Sequence, residues 1–185
     1  MLYSQNRKLF ALVNGTSGIT HHQHNVGAYG NYYGTLFPTM LQVVFNEGAG
    51  IEKVWDNMVI HTRSDNNGIV EQFDTWNSIQ VNSDTQNSGV YTIVPTNAWG
   101  IDAVIDITKQ VKARRIKNKF TLTIPADVVI DQTLSIFDPT NQNPLQLFKP
   151  RIKGDHVVVT LMYQNTNNYK FIVNFIACQF RSNAS

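Results

Sequence analysis

The stretch HVVVTLMYQNTNNYKFIVNFIACQF, residues 156–180, gives the clearest sign of fold class in this chain of 185 residues. Residues 156–164 carry apolar side chains on both faces of an extended backbone, which is typical of a strand in the middle of a sheet. Residues 170–180 form a second run of β-branched and aromatic side chains. The connector QNTNNYK has the composition of a turn, so the two strands are predicted to pair as an antiparallel hairpin.

Other runs along the chain have the same character. Each is rich in Val, Ile, Phe, Tyr or Thr and is bounded by Gly, Pro, Asn, Asp or Ser. In the run KFTLTIP the alternation is clean, with Phe120, Leu122 and Ile124 on one face. The predicted strands cover residues 9–14, 40–46, 53–62, 89–95, 119–125, 156–164 and 170–180. We therefore expect an all-β fold, an antiparallel β-sandwich or a β-barrel-like domain with long loops.

The best helix candidate is AWGIDAVIDITKQVKARR, residues 98–115. Ile101, Val104 and Ile105 have the spacing of one helix face, but their β-branched neighbours weaken a helix. The sequence therefore predicts at most one short helix. Residues 62–89 are polar with apolar islands, and we expect short strands there, joined by long loops.

Composition restricts the function classes. Only 15% of the residues are charged, so the polar surface is largely uncharged and suits packing against other subunits. A net charge of +2 is too small to indicate specific nucleic-acid binding. No apolar run reaches the ~18 residues that a membrane span needs, so no membrane partner is expected. Residues 1–185 are predicted to form a single domain, with residues 1–18 a possible N-terminal arm.

One basic cluster stands out, KQVKARRIKNK at residues 109–119. It has two interpretations: the charged face of a strand or turn, or a strip that binds a phosphate or a partner protein. Cys178, in contrast, lies in an apolar run and is interpreted as a buried thiol that acts as a small hydrophobic side chain.

The segment ITHHQHNVGAYGNYYG, residues 19–34, raises the question of a metal site. In an extended chain His22 and His24 project to the same side, as a zinc or copper site would require. Further ligands are needed, and the sequence has neither an HExxH motif nor a second cysteine. A metal at His22 and His24 is the minority interpretation, so we predict no metal and no cofactor.

The sequence supports catalysis poorly. Asp56, Asp65, Glu71 and Asp74 include enough carboxylates for glycoside hydrolysis, but nothing in the sequence places two of them across a cleft. We predict that the protein is not an enzyme and has no catalytic residues. Aromatic side chains that might line a sugar-binding face are more often core or interface residues. They are Tyr29, Tyr32, Tyr33, Trp55, Trp76 and Trp99.

Four ordered pieces of sequence carry a family resemblance. The first piece is HHQHNVGAYGNYYGTLFPTMLQVVFN, followed after a short gap by KVWDNMVIHTR. The other three are, in order, KARRIKNKFTLTIPAD, PRIKGDHVVVTL and KFIVNFIACQFR. In this order they resemble the C-terminal part of the tail stabilisation, or muzzle, proteins of crAss-like bacteriophages. The resemblance covers residues 20–181.

The resemblance implies a structural protein of the virion, located in the phage tail, where such proteins form a ring that closes the DNA channel. The implied partners are copies of the same chain in a cyclic assembly and other phage tail proteins. No catalytic residues are implied. The alternative is a β-sandwich module that recognises host surface glycans.

Two groups of residues gain expected roles from this resemblance. Arg114, Arg115 and Lys117 are expected to pair with carboxylates on a neighbouring subunit. A second group is expected to shape the loop after the histidines, because glycine permits positive φ and tyrosine rings can be buried as anchors. The loop-shaping residues are His24, Gly27, Tyr29, Gly30, Tyr32, Tyr33 and Gly34.

Overall fold

A computed structural model describes residues 2–5, 8–15, 18–23, 27–32, 35–48, 50–96, 110–126 and 151–182. The strands are β1 Leu2–Gln5, β2 Lys8–Gly15, β3 Gly18–Gln23, β4 Asn31–Tyr32, β5 Thr35–Leu36, β6 Thr39–Phe45, β7 Lys53–Asn66, β8 Ile69–Glu71, β9 Ser78–Asn82, β10 Asn87–Thr96, β11 Gln110–Ile116, β12 Lys119–Thr123, β13 Lys153–Gly154, β14 Val157–Tyr163 and β15 Lys170–Ser182. Within these ranges there is no helix, and so none long and apolar enough to cross a membrane.

The all-β prediction is confirmed, and a strand is present at each of the seven predicted places. The polar region from residue 62 to 89 contains short strands β8 and β9, also as predicted. The helix candidate is wrong over its last part, because Gln110–Ile116 is strand β11. Val111 and Ala113 face the core there while Lys112 and Arg114 face outward, which is the two-residue period of a strand. Residues 98–109 of that candidate lie outside the described residues.

The described residues form three sheets. Strands β1, β2 and β3 form a three-stranded antiparallel sheet, and β4 and β5 form a two-stranded one. The large sheet has ten strands. Its main path runs β15, β7, β12, β11, β10, β9, β14, β6, with the short strands β13 and β8 also paired to β7. This sheet is mixed, since β10 and β11 pair in parallel.

The long strand β7 organises one end of the large sheet. On one edge it pairs with β15 from Lys53 to Asp65. Its other edge is shared by three strands: β13 at residues 53–54, β12 at 57–60 and β8 at 64–66. Residues 61–63 fall between β12 and β8 on that second edge. We call this gap in the sheet the β7 notch.

The large sheet curls into a half-barrel whose concave face holds the core. The curl brings β15, at one end of the sheet, against β14 near the other end, and the rings of Phe171 and Tyr163 stack at 3.9 Å between centroids. Trp76 meets both rings edge-on, at 5.2 Å from Phe171 and 6.4 Å from Tyr163. Burial raises the pKa of the Tyr163 hydroxyl, and its O–H donates a hydrogen bond of 2.6 Å to Asp74 Oδ2.

The predicted hairpin between the last two strands is wrong. Strand β14 is central, as its two apolar faces predict, but its neighbours are β6 and β9, while β15 pairs with β7. The connector is held as a loop rather than a tight hairpin turn. Asn165 accepts a hydrogen bond from the backbone of Tyr169 at 2.8 Å and donates one back to its carbonyl at 2.6 Å. Turn-forming residues alone do not specify which strands pair.

Cys178 faces the core from β15, packed against its buried cluster. Burial raises the pKa of the thiol to about 12, so the reactive thiolate is scarcely populated at neutral pH. This agrees with the interpretation of Cys178 as a small apolar side chain.

Candidate functional site

The segment between the histidines and β6 is hydrogen-bonded to the β14–β15 connector. The backbone N–H of Tyr29 donates to Asn168 Oδ1 at 2.6 Å, and the N–H of Phe37 donates to the carbonyl of Gly30 at 2.9 Å. Gly30 has φ of +75°, and a Cβ there would lie 3.3 Å from the Phe37 carbonyl oxygen. A side chain at position 30 would therefore be strained and crowded.

The remaining residues expected to shape this loop have different surroundings. Gly27 has φ of +92° and an open environment. The rings of Tyr29 and Tyr32 are about half exposed, and the Tyr32 ring contacts that of Phe37 at 6.3 Å between centroids. His24, Tyr33 and Gly34 lie outside the described residues.

The histidines give two possible metal groups to compare. His22 belongs to β3, paired with Ala11 of β2, and its proposed partner His24 is not described. A second group, which the sequence did not suggest, consists of Asp84, Asp155 and His156. His156 Nδ1 lies 2.5 Å from Asp155 Oδ1, and Nε2 lies 3.4 Å from Asp84 Oδ1. The hydrogen bond from His156 lowers the pKa of the Asp155 carboxyl.

This second group suits an ion-paired histidine better than a metal centre. A metal can take a lone pair from one ring nitrogen while the other is oriented by a carboxylate. With Nδ1 held by Asp155, only His156 Nε2 and Asp84 remain to bind the same cation. Two ligands fall short of the tetrahedral set that zinc requires.

Of the four candidate acids, Glu71 and Asp74 line one open groove, whereas Asp56 and Asp65 lie nine residues apart on strand β7. Asp56 receives hydrogen bonds from Arg181, at 2.6 and 3.1 Å, and from Arg151. The hydrogen bond from Arg181 is the main cause that lowers the pKa of Asp56. Asp65 accepts from the N–H of Gly68 at 2.7 Å, which lowers its pKa too. These two carboxylates are held ionised by structural partners, whereas a general acid needs a raised pKa.

From residue 110 onward, the basic cluster consists of strand β11, a turn and the start of β12. This location is compatible with both interpretations of the cluster. Lys117 and Asn118 have φ of +47° and +65°, the positive values of a two-residue hairpin turn between β11 and β12. Arg114 and Arg115 lie on opposite faces of β11, because successive side chains of a strand alternate. The three predicted interface residues are therefore not one continuous strip.

Arg115 points toward the β7 notch. Its Nη1 donates to Gln72 Oε1 at 3.2 Å and its Nη2 to Asn118 Oδ1 at 2.6 Å. The guanidinium thus bridges the β11–β12 turn and the segment after β8. Arg114, by contrast, is exposed on the outer face.

An apolar strip lies on the outer, convex face at the β6 end of the large sheet. Met40 and Val44 of β6 are 65% and 60% exposed. They stand directly opposite Met162 and Val158 of β14, so the four side chains share one face. We call these four residues the convex strip. The sequence contains a signal for this strip, because the β6 and β14 segments are both apolar on two faces. Sequence alone did not show which of the two faces remains exposed to solvent.

Comparison with known proteins gives one family. The sequence profile described as the crassvirus muzzle protein C-terminal domain matches residues 27–123, a little over half of the chain. The matched range includes β6 to β12 and therefore much of the large sheet. A search of curated proteins found no match. The chain belongs to the family of crassvirus muzzle protein C-terminal domains, which are structural proteins of the phage tail.

Proposed function

We propose that this domain packs against copies of itself in a ring at the end of the phage tail, where the ring closes the DNA channel. The observation that carries the proposal is the family match over residues 27–123. A closed ring of identical chains needs a surface that is complementary to another part of the same chain. The convex strip and the basic residues of the β11–β12 hairpin are the surfaces that support this role.

The convex strip has the chemistry of an interface core. Met40, Val44, Val158 and Met162 are apolar, and the hydrogen-bonded pair Gln42 and Thr160, 3.2 Å apart, lies between them. When another surface covers exposed apolar side chains that adjoin one another on a sheet, the free energy falls. Strand β6 is also the last strand of the sheet path, so its outer edge adjoins the same strip. We propose a second copy of this chain as the occupant.

The charged contacts are part of the same proposal. Arg114 and Lys117 project from the exposed part of the hairpin and are proposed to pair with carboxylates of a neighbouring subunit. Pairs at the rim of an interface contribute mainly to association rate and specificity. They would orient the subunits, while the apolar strip would supply most of the affinity.

Met40→Lys is expected to weaken self-association about a hundredfold, because it places a charge in the centre of an apolar interface. Sedimentation equilibrium or light scattering over a range of protein concentrations measures this shift directly. Ile69→Lys is the matched control, since Ile69 is 68% exposed on β8, away from the strip. The proposal would be wrong if the wild-type chain is monomeric at every concentration, or if both variants weaken association equally.

A second candidate function is recognition of host glycans. The observation that favours it is an open groove of about 480 Å³. Phe73 in its wall is half exposed, and the carboxylates of Glu71 and Asp74 lie beside it with Gln72, Asn167 and Tyr169. Aromatic faces with nearby carboxylates and amides can bind the apolar and hydroxyl sides of a sugar ring. Trp76, one of the aromatic residues considered from the sequence, is instead buried in the core, and Trp99 lies outside the described residues.

Binding of the purified chain to an array of bacterial surface glycans tests this second candidate. If the groove binds sugar, Phe73→Ala should abolish the signal while Ile69→Ala leaves it unchanged, because Phe73 lines the groove and Ile69 does not. Binding that persists in Phe73→Ala would remove the groove from consideration.

A further inference from the structure

The β7 notch opens into a cavity of about 340 Å³. Its polar wall includes His61, Arg63, Glu71, Gln72, Arg115 and Asn118. We infer that this cavity receives one carboxylate side chain of a neighbouring polypeptide in the virion. The inference rests on the proposed structural role and specifies the chemistry of one contact.

Arg115 is the central group of this cavity. Its two hydrogen-bond acceptors, Gln72 Oε1 and Asn118 Oδ1, are neutral amide oxygens. These contacts fix the guanidinium plane and use only part of its N–H donors. Among the ion pairs of the described residues, none includes Arg115. The side chain is therefore oriented in advance while its charge is not neutralised by a carboxylate, which favours bidentate binding of an incoming one.

The surrounding charges favour a monoanion. Arg63 is paired with Asp65 at 3.1 Å, so its charge is offset. Lys119 lies over the Phe175 ring at 5.1 Å, and the same ring contacts His61 of the cavity wall. Lys119 itself is not part of the cavity wall. A single carboxylate would pair with Arg115, the one arginine of the wall that lacks a carboxylate partner among the described residues.

The same arrangement disfavours the phosphate backbone of DNA. Glu71 accepts a hydrogen bond from Asn66 at 3.3 Å, and its carboxylate stays in the cavity wall, so the cavity is not lined by cations alone. DNA binding relies on several cations spread over one face. Here the two neighbouring arginines of β11 lie on opposite faces, and the chain carries a net charge of only +2.

Titration of the ¹⁵N-labelled chain with sodium propionate, followed by NMR of the arginine Nε–H signals, tests the inference. The Arg115 signal is expected to shift and saturate, whereas sodium chloride at equal ionic strength should give no saturable shift. Arg115→Gln should weaken propionate binding at least about tenfold, as expected for loss of a charge-assisted bidentate contact, with binding followed by the signals of Gln72 and Asn118. Lys153→Gln is the charge control, since it removes one positive charge from an exposed side chain beside residue 54 of β7, away from the notch, and it should change the affinity less than about twofold.

Three results would overturn the inference: no saturable shift at Arg115, equal weakening in Lys153→Gln and Arg115→Gln, or tighter binding of sodium phosphate than of propionate. Arg115→Lys keeps the charge but loses the planar fork, so retained affinity in that variant would overturn the bidentate geometry. Propionate binding does not require assembly. A monomeric chain that binds propionate through Arg115 would therefore contradict self-association while supporting the carboxylate site.

Discussion

Trp76→Ala is expected to lower the free energy of unfolding by about 3–5 kcal/mol, the usual cost of removing a large buried aromatic side chain. Trp76 is almost fully buried and contacts the rings of Tyr163 and Phe171. Those two rings join β14 to β15, and so connect distant parts of the sheet path. A cavity at position 76 would weaken the contact that closes the half-barrel. Urea denaturation followed by circular dichroism measures the loss.

Two variants control for this result. Phe73→Ala removes a half-exposed aromatic ring three residues away and should change stability by less than about 0.5 kcal/mol. Trp76→Phe keeps an aromatic ring in the site and removes an indole N–H that has no acceptor among the described residues. It should cost about 1 kcal/mol, much less than alanine. If Trp76→Ala were as mild as Phe73→Ala, the position of Trp76 in the core would be wrong.

Lys53→Met is the second large expected effect, a loss of about 2–3 kcal/mol. Lys53 is only 1% exposed, and its ammonium group donates to the carbonyls of Gly48, at 2.8 Å, and Asp155. The ammonium also lies 5.8 Å from the Trp55 ring centroid and 5.5 Å from that of Phe180. Methionine preserves most of the volume but leaves both carbonyl oxygens without this donor, and it removes the attraction between the cation and the rings.

The midpoint of urea denaturation for Lys53→Met, compared with Lys170→Met, measures this effect. Lys170 is exposed on β15, so its replacement should leave the midpoint nearly unchanged. Equal midpoints for the two variants would show that the buried ammonium is not structurally important. A more stable Lys53→Met protein would show that the cost of burying the ammonium exceeds the value of its contacts.

Local sequence was sufficient to place most of the long strands. The alternation in KFTLTIP and the β-branched runs of β7, β10, β14 and β15 depend on the two-residue period of an extended chain, which is a property of neighbouring residues. The ordered motifs of the family were also recognisable in the sequence. The family identified from these motifs agrees with the profile match over residues 27–123.

Strand pairing required contacts between distant residues. The Asn-rich connector after β14 has turn composition, yet β14 pairs with β6 and β9, and β15 pairs with β7. Turn residues favour a change of chain direction, while the choice of partner depends on which apolar faces can be buried together. The stacked rings of Tyr163 and Phe171 show this choice, because they meet across the core from strands that are not paired.

The same long-range contacts determine which surfaces of the sheet are exposed. The sequence shows that β6 and β14 are apolar on both faces, but curling of the sheet determines that Met40 and Val44 point outward while Leu41 and Phe45 pack on the core. Arg115 lies in a cavity because β12 and β8 leave residues 61–63 of β7 between them. Periodicity therefore divides each strand into two faces, and packing between residues far apart in the chain selects the face that remains available for binding.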